Sequence, residues 1–142
     1  MEYEHVPVMA TEVLQVLQPE NGGRYADGTI GGGGHAAIIL EASKTGGWLG
    51  GSDRDGAAVE AASSRLAPYA GRFEIRKGSF ASLADWIEPG SLDGVLLDLG
   101  VSSPQLDWPD RGFSLLQDGP LDMRMDKEQP MTAANIVNDE TE

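Results

Sequence analysis

No cysteine occurs among the 142 residues, which excludes disulfides, thiolate metal sites and a cysteine nucleophile. No run reaches the roughly 18 consecutive apolar residues that a membrane span needs. The acidic start Met1-Glu2-Tyr3-Glu4-His5 lacks the apolar segment of a secretory signal, so a cytoplasmic location is expected. Basic side chains are scarce: 10 Lys and Arg stand against 23 Asp and Glu, a net charge of −13. A nucleic-acid binder needs cations to displace counterions from phosphates, and this composition offers no such surface. Residues 1–106 carry 14 acids and 7 bases, and residues 107–142 carry 9 acids and 3 bases. Hydrophobic content of 40% and a mean hydropathy of −0.27 nonetheless suit a globular chain with a real core.

Glycine, by contrast, is abundant, and four of the 19 stand together. Arg24-Tyr25-Ala26-Asp27-Gly28-Thr29-Ile30-Gly31-Gly32-Gly33-Gly34-His35 reads as a short strand, a glycine loop and the start of a helix. Without a Cβ, glycine tolerates positive φ and close approach of a ligand to the main chain. A helix N-terminus behind such a loop presents backbone N–H groups and a positive dipole end. Gly31-x-Gly33-x-x-Ala36 also fits a dinucleotide fingerprint, although adjacent glycines satisfy many patterns by chance.

The rest of the chain alternates in the same way. Thr11 is placed to cap a first helix over residues 12–18. Strands are predicted near residues 24–29, 48–52, 72–77 and 94–97, the last continuously apolar as in a parallel strand buried on both faces. Helices are predicted over 36–43, over 56–66 with Asp55 as cap, and from Ser82 with Asp85 three residues on. This alternation predicts an α/β fold with a doubly wound parallel sheet. From Gly100 to Met131 the sequence is rich in Pro, Gly, Ser and Asp, too long for an ordinary connection. Thr132 then caps a helix over 133–137.

In open parallel sheets, ligands bind beyond the carboxyl ends of the strands. Those ends carry Asp27 with the glycine loop, Asp53, Phe80 and Asp98. Asp53 lies 22 positions after Gly31, near the spacing at which an acid accepts ribose hydroxyls. Taken singly, each has a bland explanation: a strand-end Asp caps a turn, and a Phe belongs to a core. Three ligand classes compete for the aligned set. A nicotinamide cofactor would use the loop and Asp53, giving an NAD-binding oxidoreductase fragment. Asp53-Arg54-Asp55-Gly56 mimics an aspartyl-phosphate motif but lacks its later partners. A methyl donor such as S-adenosylmethionine needs contacts at all four positions.

Further motifs are Asp93-Gly94-Val95-Leu96-Leu97-Asp98-Leu99-Gly100-Val101-Ser102-Ser103-Pro104-Gln105-Leu106-Asp107, Arg111-Gly112-Phe113-Ser114 and Gly119-Pro120-Leu121-Asp122-Met123-Arg124-Met125-Asp126. With His5-Val6-Pro7-Val8, the glycine loop and Asp53-Arg54-Asp55, they make the chain resemble the MraW/RsmH family. These are the bacterial methyltransferases of the N4 amine of a cytidine in small-subunit ribosomal RNA. The resemblance implies a Rossmann-like S-adenosylmethionine methyltransferase sheet, with an inserted helical substrate domain after the fourth strand. It implies cofactor contacts from Gly33, Gly34, His35, Asp53, Phe80, Asp98 and Gln105, no metal, and ribosomal RNA of the small subunit as partner. A catalytic base is not assigned. On that pattern residues 1–106 form the cofactor-binding portion and 107–142 a loop and the beginning of the inserted domain. Family members are longer, so the chain is expected to be a truncated form, inactive alone. A non-catalytic binding module is the alternative, with homo-oligomerisation through an exposed sheet edge.

Overall fold

The computed structural model describes residues 6–139. The chain divides into two compact units, one up to Leu99 and one from Gly100.

The first unit is a four-stranded sheet, parallel throughout, formed by β1 (Arg24–Asp27), β2 (Trp48–Asp53), β3 (Phe73–Lys77) and β4 (Gly94–Leu96). Their spatial order is β3-β2-β1-β4. The chain therefore steps outward from β1 to β3, then returns to place β4 on the other side of β1. That reversal puts the topological switch point between β1 and β4, where open α/β sheets bind ligands. Helices α1 (Ala10–Leu17), α2 (Gly34–Ala42) and α3 (Gly56–Leu66) belong to this unit.

Its core is Tyr25, Ile39, Leu40, Leu49, Ala62 and Leu66, all buried, with each large aliphatic contributing about 1.5–3 kcal/mol. Leu49 comes from the central strand β2, whose interior is buried at four successive positions. Val13 and Leu17 bring one stripe of α1 onto this core. Tyr25 keeps its hydroxyl satisfied by accepting from the Glu20 amide at 2.9 Å, so its ring can be buried without an orphaned polar group.

Three details differ from the sequence reading. Helix α1 starts one residue before Thr11, and its N-cap is Met9 in a left-handed conformation with no side-chain bond. The segment after β3 is a 3₁₀ turn over Phe80–Asp85, capped by Ser79, rather than a helix from Ser82. The fourth strand is not buried on both faces: Val95 is 52% and Leu97 43% exposed. β4 stands at the end of the strand order among the described residues, which leaves these apolar side chains uncovered. Asp55, by contrast, caps α3 as expected, accepting from the Ala57 amide at 3.1 Å.

The second unit contains α4 (Ser103–Asp107) and α5 (Ala133–Asp139) around largely irregular chain. Two arginines organise it. Arg111 is buried and donates to the carbonyls of Arg124 and Met125 at 3.3 and 3.0 Å. Arg124 forks onto Asp122 at 2.8 and 2.9 Å and also donates to the carbonyls of Lys127 and Gln129. The Arg124 hydrogen bonds hold the Asp122 carboxyl down at about 2. Thr132 and Asn135 cap α5 reciprocally. No helix among the described residues is long and apolar enough to cross a membrane.

Candidate ligand site at the strand ends

The glycine loop leaves β1 at Gly28 and passes between its two neighbours. Gly28 donates to Leu96 of β4 at 3.0 Å, and Ile30 donates to Ser52 of β2 at 3.0 Å. Two residues thus carry the chain across the end of the sheet. Gly31 and Gly33 take φ of 50° and 78°, a region that favours glycine. The loop delivers the chain to α2, whose N-cap Gly33 offers no side-chain bond. The first backbone N–H groups of α2, including that of His35, have no intrahelical acceptor and carry the positive end of the helix dipole.

The glycines also answer to packing. A Cβ on Gly33 would lie 3.1 Å from the Ala62 backbone of α3, and one on Gly34 would lie 3.2 Å from Pro7. A Cβ on Gly28 would run into Phe80 and Leu97. Phe80 and Leu97, from the segments after β3 and β4, therefore both close on the end of β1. Phe80 remains 42% exposed.

Asp53 is bound to the loop. Its Oδ2 accepts from the Gly31 amide at 2.9 Å and its Oδ1 from the Asp55 amide at 3.0 Å. Burial raises its carboxyl above the usual range, against those two lowering bonds. The Arg54 amide also lowers it as a third backbone donor, and a carboxylate has about four lone-pair directions, so acceptor capacity is left for a ligand. His35 is buried, and its Nε2 lies 2.7 Å from the Val8 carbonyl. A carbonyl only accepts, so Nε2 carries a proton. The ring ties the lead-in segment to α2, while Nδ1 stands 4.0 Å from Asp98 Oδ2. His5 lies outside the described residues.

Asp27 was not among the residues singled out as contacts, and it is the most unusual group in the unit. It is 1% exposed. Oδ1 accepts from the Thr29 amide at 3.1 Å, while Oδ2 is buried with no hydrogen-bond partner. Burial pushes its carboxyl up to about 6, opposed by the Thr29 amide and His35 and assisted by Asp53 and Asp98. An orphaned buried acceptor costs about 1–3 kcal/mol, and such groups concentrate at functional sites. Its signal in the sequence was an acid where a strand breaks into glycines.

The arrangement thus brings together Gly33, Gly34, His35, Asp53, Phe80 and Asp98 on the carboxyl side of one sheet. Gln105 belongs to the second unit, where it is buried and its Oε1 accepts from the Ser102 amide at 3.1 Å. Among the described residues no group of three or more His, Asp or Glu is arranged to hold a metal.

A family model described as the MraW methylase family matches residues 2–142. Ribosomal RNA small subunit methyltransferase H of Geobacter sulfurreducens is 52% identical over 142 residues, covering 98% of this chain and 46% of that protein. Its namesake in Geotalea uraniireducens is 51% identical over 140 residues, covering 96% and 45%. The chain therefore spans a little under half the length of these relatives. A SAM-dependent O-methyltransferase from Thermotoga maritima superposes with a TM-score of 0.56 at 18% identity, covering 78% of this chain and 38% of that one. At that identity the likeness concerns the Rossmann-like fold.

Proposed function

The chain belongs to the MraW methylase family, and from that premise we propose that it carries the S-adenosylmethionine site of a methyltransferase. The whole enzyme's substrate is the N4 amine of a cytidine in small-subunit ribosomal RNA. The observation that carries the cofactor reading is the orphaned Asp27 Oδ2 beneath a glycine loop, with Asp53 and Asp98 at the flanking strand ends. A ligand bearing two cationic centres, a sulfonium and an ammonium, suits three neighbouring carboxylates. The ribose hydroxyls suit the acceptor capacity left on Asp53, and the exposed face of Phe80 suits a purine. The uncapped α2 N-terminus suits a carboxylate. When bound, S-adenosylmethionine supplies an electrophilic methyl carbon.

What this chain's residues do is bind and align. Gly33 and Gly34 keep the loop backbone bare, Asp53 fixes the ribose, and Asp98 orients the amino-acid end or the entering amine. Alignment for in-line displacement is the main catalytic contribution of such a site. Gln105 is proposed as a further contact on the family resemblance alone, within a cofactor portion of residues 1–106. A cytidine must leave its stack to reach a buried pocket. The net charge of −13 opposes phosphate binding, so these 142 residues alone bind cofactor without methylating ribosomal RNA.

Calorimetry with S-adenosylhomocysteine and, separately, NAD tests the cofactor reading. Binding of the first and not the second is expected. Binding of NAD alone would replace it with the oxidoreductase reading.

A further inference from the structure

We propose that Thr29 is a positioning residue whose hydroxyl extends the β1–β4 ladder by one rung and so fixes Asp98 at the ligand site. The inference rests on the cofactor reading above. In the register of the two strands Asp27 pairs with Leu96, and the last main-chain link is Gly28 N–H to the Leu96 carbonyl. Beyond it β1 veers towards β2, where Ile30 donates to Ser52. The next β4-side amide, that of Asp98, is left without a main-chain acceptor from β1. Thr29 Oγ1 takes that place, accepting from Asp98 N–H at 2.7 Å.

The same hydroxyl lies 3.5 Å from Asp27 Oδ1, which also accepts from the Thr29 amide at 3.1 Å. Thr29 is therefore held from beneath by a buried carboxylate and holds the β4 turn from above. Its location is the switch-point crevice, where the sheet can supply no further backbone link. The adjoining turn needs such a tether, because Leu97, Asp98 and Leu99 are all substantially exposed. Gly100, two residues after the tethered Asp98, takes a φ of 142°, a conformation that favours glycine. A serine at position 29 would keep the link, whereas valine would keep the shape and lose it.

Two measurements on the 142-residue chain test this. Amide hydrogen exchange read by NMR should show Asp98 protected in the wild type and in Thr29→Ser, and unprotected in Thr29→Val. S-adenosylhomocysteine affinity should fall about three- to tenfold in Thr29→Val, the scale of one neutral hydrogen bond, and return in Thr29→Ser. In an Asp98→Ala background, Thr29→Val should then cost little further affinity. Unchanged Asp98 exchange in Thr29→Val overturns the inference whatever the ligand does. Loss of exchange protection with undiminished affinity overturns the positioning role. Failure of the wild type to bind at all, with the exchange result intact, strikes the cofactor reading and removes the positioning role with it.

Discussion

Replacing Asp27 by Asn separates what the buried carboxyl does for binding from what it does to stability. The Asn side chain keeps an oxygen to accept from Thr29 and has the same shape, but carries no charge. In the folded protein the acid is pushed from 3.8 up to about 6 by burial, so the folded state holds this proton more tightly than the unfolded chain does. Its contribution is therefore most favourable below about pH 4, declines as the pH rises to about 6, and stays level above. The interval between the two values, at about 1.4 kcal/mol per pH unit, corresponds to about 3 kcal/mol. Asn titrates nowhere in this range. The stability of Asp27→Asn relative to wild type should thus rise by up to about 3 kcal/mol between pH 4 and pH 6.5, on the order of 10 °C in Tm for a chain of this size. Urea denaturation of both proteins at several pH values reads the difference, in which other carboxylates cancel. The same variant should bind S-adenosylhomocysteine more weakly than wild type. Stability curves that run parallel across the range would refute the assignment of a strained, ionised Asp27.

Gly33→Ala should lower the urea midpoint, because a φ of 78° and the Ala62 backbone 3.1 Å away both oppose a Cβ. Backbone strain alone is worth about 1–3 kcal/mol, and an unchanged midpoint would show that the loop relaxes freely. Arg124→Ala should loosen the second unit, read as faster proteolysis within residues 112–131 at pH 7. Asp122 is depressed to about 2 chiefly by its Arg124 hydrogen bonds. The Asp122 contact is therefore in force above about pH 4 and lost as the pH falls through about 2, so the difference between the two proteins should narrow there without vanishing, because the bonds to the Lys127 and Gln129 carbonyls do not titrate. A methyl-transfer assay with labelled donor and small ribosomal subunits, run beside a full-length relative, should give no incorporation by the 142-residue chain. Label at a cytidine at a comparable rate would overturn that expectation.

Much of the first unit was legible because its signals are local. Asp27 followed by glycines, Asp53 after an apolar run, and Asp55 before a helix each announce a strand end or a cap. The alternation then dictates a parallel sheet. What escaped were properties set by neighbours distant in sequence. Val95 and Leu97 read as interior, yet both are substantially exposed, because β4 stands at the end of the strand order among the described residues. Gly33 read as room for a ligand, whereas its absent Cβ is also required by Ala62 of α3. Thr29 read as the last residue of the first strand; its partner Asp98 is 69 positions away. Arg111 and Arg124 marked the family without disclosing their task, which is to tie irregular backbone together through carbonyls.

The most direct test of the central claim is an amide chemical-shift titration of the 142-residue chain with S-adenosylhomocysteine. Saturable shifts are expected at Asp27 to His35, at Asp53, around Phe80 and at Asp98, together marking the carboxyl ends of β1, β2, β3 and β4. Saturable shifts confined elsewhere, or none at millimolar ligand, would contradict it.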